Sequence, residues 1–326
     1  MTKVETNGII INYDTFGSDQ GEAVLLISGL GTQMIRWPVS FCDSLAARGF
    51  YVIRFDNRDA GLSTHFSESP VPDFGALSAA IAEGRQPDVP YTLRDMAADA
   101  VGLLDVLGIE TAHLVGRSMG GLIAQMVASE YPHRAASLVS IMSSTGNPDL
   151  PSAAPDVMAL LMQRAPNPFE DEAGFLSHGL AFARRISSPA YPFDEEAHSA
   201  LILAEARRAY DPGGVGRQIA AIGAISRNRA CLSDISAPAL VIHGASDPLI
   251  PPACGEDTAS SIQESDLMMI EGMGHDIPAD LQQTLIDAIV RNCRRPNKTV
   301  EATPLRSVPH LERSVKRNTS APRPFR

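Results

Sequence analysis

A chain of 326 residues with 44% hydrophobic and 20% charged positions has enough apolar sequence for one large core or two modest ones. Its formal net charge of -11 at pH 7 works against a nucleic-acid or anionic-lipid partner held by a bulk field. Even the apolar stretch from Ala23 to Ile35 is broken by Ser28, Thr32 and Gln33, short of the ~18 residues a membrane helix needs, so no membrane span is expected.

In chain order, Met1-Thr2-Lys3-Val4-Glu5-Thr6 lacks the basic stretch, apolar core and cleavage site of a secretory signal, and a cytoplasmic location is expected. Strands are predicted at Gly8 to Tyr13, Ala23 to Ser28 and Tyr51 to Asp56. A helix follows, opened by a capping box of Thr92 with Asp95, carrying Met96, Val101, Leu104 and Leu107 on one face and stopped by Gly108. The strand His113 to Gly116 then runs straight into a helix in which Leu122 with Met126 and Ile123 with Val127 recur four apart, and Pro132 ends it. Further strands are expected at Leu138 to Ile141, Ala239 to His243 and Leu267 to Ile270, and a last helix carries Leu281, Leu285 and Ile289. Strands alternating with helices predict an α/β fold, a mostly parallel central sheet with helices on both faces. Several strands are apolar throughout, as strands covered on both sides should be.

Between those strands the pattern changes. From about Gly146 the sequence becomes Ala-rich and helical, broken by Pro151, Pro166, Pro168, Pro189, Pro192 and Gly213-Gly214, and the sheet pattern returns only at Pro238. We therefore expect a core of residues 1–145 and 233–294 with an inserted helical cap at 146–232. Residues 295–326 replace periodic hydrophobics with prolines and basic side chains, and a tail that is disordered or docked on a partner subunit is expected. From 291 to 326, ten Lys or Arg stand against two Glu, so such a tail could bridge to the acidic body of a second copy, a route to a homo-oligomer.

The chemistry concentrates in Gly116-Arg117-Ser118-Met119-Gly120, a GxSxG set between a strand and a helix. A serine on such a turn projects its hydroxyl above the sheet, and the glycines leave room for the turn. Serine needs a base, most often histidine. The chain offers eight histidines, of which His275 lies just past the last strand and just before the last helix, where a loop residue can reach Ser118. The orienting acid should follow the strand Ala239 to His243, and Asp247 occupies that turn; Asp149 is the fallback, and Asp276 is too close in sequence to His275 to orient it. An oxyanion needs two backbone donors, expected from the N–H of Met119 and the N–H of Leu30 in the loop Ser28-Gly29-Leu30-Gly31-Thr32. Gly29 and Trp37 are expected to contact substrate. Arg117 would either meet a substrate carboxylate or be salt-bridged beneath the turn.

The remaining histidines read as structural: His113 within an apolar strand, His243 bracing the acid turn, and His65, His133, His178, His198 and His310 without paired ligand spacing. Cys42, Cys231, Cys254 and Cys293 form no CxxC pair, so they are expected to be reduced packing residues. No metal and no cofactor is expected.

These separated motifs resemble the α/β-hydrolase superfamily across residues 8–293. Within it, Trp37-Pro38, the stretch Val52 to Thr64 and Gly272-Met273-Gly274-His275 resemble the aclacinomycin methylesterase group, which removes a methyl ester from a bulky polycyclic acid. Leu30-Gly31-Thr32 with Trp37 is similar to 3-oxoadipate enol-lactonases, and Ser118-Met119-Gly120-Gly121 is similar to carbon–carbon bond hydrolases. Many relatives carry His-Gly where this chain has Ser28-Gly29. The resemblance implies that Asp56, Arg58 and Asp59 form a supporting turn and that the activity is hydrolysis of a small, hydrophobic carboxylic ester. Its alternatives are a carbon–carbon bond or enol-lactone hydrolase using the same triad, and a small-ligand receptor without turnover.

Overall fold

A computed structural model describes residues 2–225 and 232–296. The expectations for Cys231, for His310, for the end of the cap and for the basic tail from residue 297 onward lie outside the described residues.

Eight strands, β1 (Thr2–Thr6), β2 (Ile9–Phe16), β3 (Glu22–Ile27), β4 (Phe50–Phe55), β5 (Ala112–Arg117), β6 (Ala135–Ile141), β7 (Ala239–Gly244) and β8 (Ser265–Ile270), form one sheet in the order β1-β2-β4-β3-β5-β6-β7-β8. The first hairpin and its junction with β4 are antiparallel, and the other pairs are parallel. In β3 the side chains divide with period two: Leu25 and Ile27 enter one core, Val24 and Leu26 the other. The first core is covered by α3 (Leu93–Val106) and α4 (Met119–Glu130), the second by α1 (Val39–Ala46) and α10 (Ala279–Cys293).

The Thr92 capping box is present with both reciprocal hydrogen bonds, and Gly108 adopts the positive φ of a helix stop. Among the described strands and α-helices, four were not anticipated: β1, α1, α2 (Phe74–Ala82) and α9 (Pro252–Ser261). The β1 edge strand pairs with β2 and has Val4 as its single apolar residue, so it carries little apolar signal. Among the described residues, four helices run between β6 and β7: α5 (Pro155–Met162), α6 (Glu172–Ile186), α7 (Glu195–Arg208) and α8 (Gly214–Gly223). No helix among the described residues is long and apolar enough to cross a membrane.

Candidate active site

The turn from β5 into α4 has an unusual backbone. Ser118 sits at φ 54°, ψ -123°, a conformation that costs a non-glycine residue on the order of 1–3 kcal/mol. It is over-determined by its surroundings: the Ser118 N–H donates to the Ile141 carbonyl at 2.9 Å, and its own carbonyl accepts from Gly121 N–H and from the Ser143 hydroxyl, both at 2.8 Å. A Cβ on Gly116 would lie 2.0 Å from the Gly120 carbonyl oxygen, and one on Gly120 would lie 2.2 Å from that of Ile27. Only glycine fits on either side of this serine.

His275 comes from the loop after β8 and Asp247 from the loop after β7. The His275 Nδ1 lies 2.7 Å from Asp247 Oδ2, and its Nε2 lies 3.0 Å from Ser118 Oγ. A carboxylate at Nδ1 fixes the proton there, which leaves Nε2 free to accept the serine proton. The other Asp247 oxygen accepts from the N–H groups of Leu249 and Ile250, each at 2.9 Å, so the acid is held as an acceptor on both sides. His243 supports that turn through Ile250, its Nε2 being 2.9 Å from the carbonyl oxygen. Burial holds the His243 pKa below the ordinary histidine value.

The other acids are elsewhere. Asp149 is exposed and has no contact with the histidine. Asp276 accepts a hydrogen bond from Ser188.

The loop after β3 runs directly over the serine. A Cβ placed on Gly29 would sit 3.2 Å from Ser118 Cβ and 3.7 Å from its Oγ, so this backbone borders the nucleophile. The N–H groups of Leu30 and Met119 are not taken up by any turn, loop or cap hydrogen bond among the described residues. Neighbouring atoms of the loop are tied down from three elements. Asn57 donates to the Ser28 carbonyl at 3.0 Å, Gln218 on α8 accepts from Gly31 N–H at 2.7 Å, and Glu205 on α7 accepts from Gln33 N–H at 3.1 Å. Gln218 and Glu205 carried no sequence signal, since each acts through a partner more than 170 positions away.

Arg117 corrects one of its two expected roles. It is not salt-bridged beneath the turn: among the described residues it forms no ion pair, and its guanidinium lies 5.8 Å from the Trp37 ring. Of the two carboxylates whose charge acts on it, Glu205 is bound by Arg36 and Asp276 accepts from Ser188. Asp56, Arg58 and Asp59 are structural. The Asp56 carboxylate accepts from Met34 N–H and Leu62 N–H and pairs with Arg208 at 2.7 Å. Asp59, His65 and Asp211 bring ligand-type atoms within 4.8 Å of one another, but Arg217 already bridges the two carboxylates at 2.8 and 2.6 Å.

The profile of the alpha/beta hydrolase fold family matches residues 22–280. The chain is 28% identical to rhodomycin D methylesterase of Streptomyces peucetius over 90% of its own length and 98% of that protein. It is 26% identical to 3-oxoadipate enol-lactonase 2 of Acinetobacter baylyi, covering 81% and 84%. The crystal structure of an enol-lactonase from Burkholderia xenovorans superposes with a TM-score of 0.68 at 22% identity, over 90% of this chain and all of that one.

Proposed function

The chain belongs to the alpha/beta hydrolase fold family, and from the relay at the end of its sheet we propose that it is a serine hydrolase that cleaves carboxylic esters through an acyl-enzyme. One observation carries this reading: a single imidazole stands 3.0 Å from a strained serine hydroxyl and 2.7 Å from a buried carboxylate.

Ser118 Oγ attacks the acyl carbon as its proton passes to His275 Nε2, and the carbonyl electron pair moves onto oxygen. The N–H groups of Leu30 and Met119 would stabilise that oxyanion. The tetrahedral adduct collapses, and the departing alkoxide takes the proton from His275 and leaves as the alcohol. Water repeats the sequence: its proton goes to His275, its oxygen adds to the acyl carbon, and Ser118 recovers its proton as the acid departs. Asp247 stabilises the imidazolium at each step without taking its proton. None of these steps draws on a cofactor.

The similarity to rhodomycin D methylesterase supports ester cleavage of a small-molecule substrate. The similarity to 3-oxoadipate enol-lactonase supports a second reading, in which the same groups open an enol lactone. A panel of p-nitrophenyl esters of increasing chain length, run beside an enol lactone, separates the two by whichever class has the larger kcat/KM. Ser118→Ala is expected to lose on the order of a million-fold in turnover. Should a fluorophosphonate leave Ser118 unlabelled while a small ligand raises the melting temperature, a receptor without turnover replaces both readings.

A further inference from the structure

The Gly29–Leu30 peptide carries one of the two N–H groups proposed above as oxyanion donors, and its oxygen is tied down. In a trans peptide the carbonyl and the N–H point in opposite directions, so whatever holds the Gly29 oxygen also aims the Leu30 N–H. That oxygen accepts from the Thr32 hydroxyl at 3.0 Å and from the Thr32 N–H at 3.3 Å. The hydroxyl makes the shorter bond, and the backbone bond is long for an N–H donor.

This position needs such a restraint. A Cβ on Gly29 would lie 3.2 Å from that of Ser118, so the loop passes the nucleophile as bare backbone. Glycine leaves the peptide that follows it free to rotate. An oxyanion donor, however, stabilises only the position at which it is aimed, and aiming it in advance is what makes it effective.

The next peptide is held from α8. Gly31 N–H donates to Gln218 Oε1 at 2.7 Å, and Gln218 Nε2 donates to the Arg58 carbonyl at 2.8 Å. The Gln218 side chain belongs to a fully buried residue. Arg58 in turn grips Asp99 on α3 through two contacts of 2.6 Å, so a continuous strut runs from the loop into the core. Val215, also on α8, closes the outer side: a Cβ on Gly31 would meet its Cγ2 at 2.8 Å. Both peptides that flank Leu30 are thus fixed, while its own N–H has no turn, loop or cap partner among the described residues.

We propose that Thr32 and Gln218 are positioning residues for the oxyanion: Thr32 aims the Leu30 N–H through the Gly29 carbonyl, and Gln218 locks the peptide after it. Neither is assigned contact with the reacting atoms. This inference rests on the serine-hydrolase reading and adds to it how one donor is kept in place.

The test sets binding of butylboronic acid beside turnover of p-nitrophenyl butyrate, on the full chain. Ser118 Oγ adds to the trigonal boron, its proton passes to His275, and an oxygen of the tetrahedral boronate takes the oxyanion position, so binding reads that position without turnover. Thr32→Val keeps the side-chain size and removes the hydroxyl. It is expected to lower kcat by about tenfold with KM little changed, and to raise the boronate dissociation constant by a similar factor. That is short of the ~100 to 1000-fold that follows outright loss of a donor. Thr32→Ser returns the hydroxyl and should recover most of both losses. Gln218→Met, which leaves Gly31 N–H without its acceptor, should weaken the boronate in the same direction and stands in if Thr32→Val does not fold. Unchanged boronate affinity in Thr32→Val, or in Gln218→Met where it stands in, overturns the proposal even if the melting temperature falls; so does a loss that Thr32→Ser fails to recover. A wild type that binds the boronate but turns over no ester loses the hydrolase reading alone, because the comparison of affinities is still decisive. A wild type that binds no boronate has no such position to arrange, and the proposal falls.

Discussion

The Ser188 hydroxyl accepts the Gly274 amide hydrogen at 2.8 Å and donates to the Asp276 carboxylate, so one side chain holds the residues on both sides of His275. It is the middle of three such ties. His275 N–H donates to the Ile186 carbonyl at 2.7 Å, and Ala190 N–H donates to that of Gly272 at 3.2 Å. The segment joining α6 to α7 is thus laced to the loop that supplies the base. A shift of that segment would move the imidazole relative to Ser118.

Ser188→Ala is expected to destabilise the fold by about 1–3 kcal/mol, because it strands a buried amide and a partly buried carboxylate at a residue only 2% exposed. Urea unfolding measures this. In steady-state kinetics kcat should fall while KM changes little, since the loosened part is the base and not the substrate contacts. Wild-type kcat in a destabilised variant would show that the lacing is structural only.

Asp247→Asn keeps the oxygen that accepts from Leu249 and Ile250 but offers an amide where the imidazole N–H donates. The neutral ring would then be held in the tautomer with its proton on Nε2, pointing at the serine. A loss of ~10,000-fold in kcat is expected, with the melting temperature close to wild type. A modest loss of tenfold or less would mean that the ring is oriented by something other than this carboxylate.

The sequence and the structure differ in an instructive way. Ser118, Asp247 and His275 were legible because each lies at a punctuation mark, where an apolar strand ends and a turn begins, and the β5 turn has glycines on both sides of the serine that backbone crowding makes obligatory. The capping box at Thr92 was legible for the same reason, being local. What escaped notice was long-range. Gln218 reaches Gly31 and Ser188 reaches Gly274 across the fold, and a serine or glutamine within a helical, Ala-rich stretch has no pattern that announces its partner. Arg117 was misjudged in one of its two roles because pairing depends on long-range neighbours: Glu205, whose charge acts on it, is bound by Arg36 instead.

Gly29→Ala probes the wall beside the nucleophile. The added methyl would lie 3.2 Å from Ser118 Cβ and 3.3 Å from the Arg117 carbonyl oxygen, tight enough to push one of them by a fraction of an ångström. Since displacements on the ångström scale cost up to ~100-fold when reacting groups must be aligned, kcat/KM should fall by roughly one to two powers of ten. The overall fold should survive, because this glycine does not have the positive φ of its neighbour Gly31. A variant with full activity would move the reacting carbonyl away from this loop.

Asp276 provides a test through pH. Burial raises its pKa above the usual carboxylate value against the opposing pull of Ser188, His198 and His275. A carboxyl raised in the folded state favours folding in its protonated form. That contribution is complete below the unfolded value of ~3.9 and is lost as pH rises through the folded value. Above it, the carboxylate is a charge whose lost solvation is only partly offset by Ser188, His198 and His275. Asp276→Asn retains an oxygen to accept from Ser188 and removes the charge, so it should melt above wild type at about pH 7.5, with the gap closing as pH falls toward ~4. A lower melting temperature for Asp276→Asn that worsens with rising pH would give the opposite sign, and would mean that attraction to Arg117 or His198 outweighs the loss of solvation.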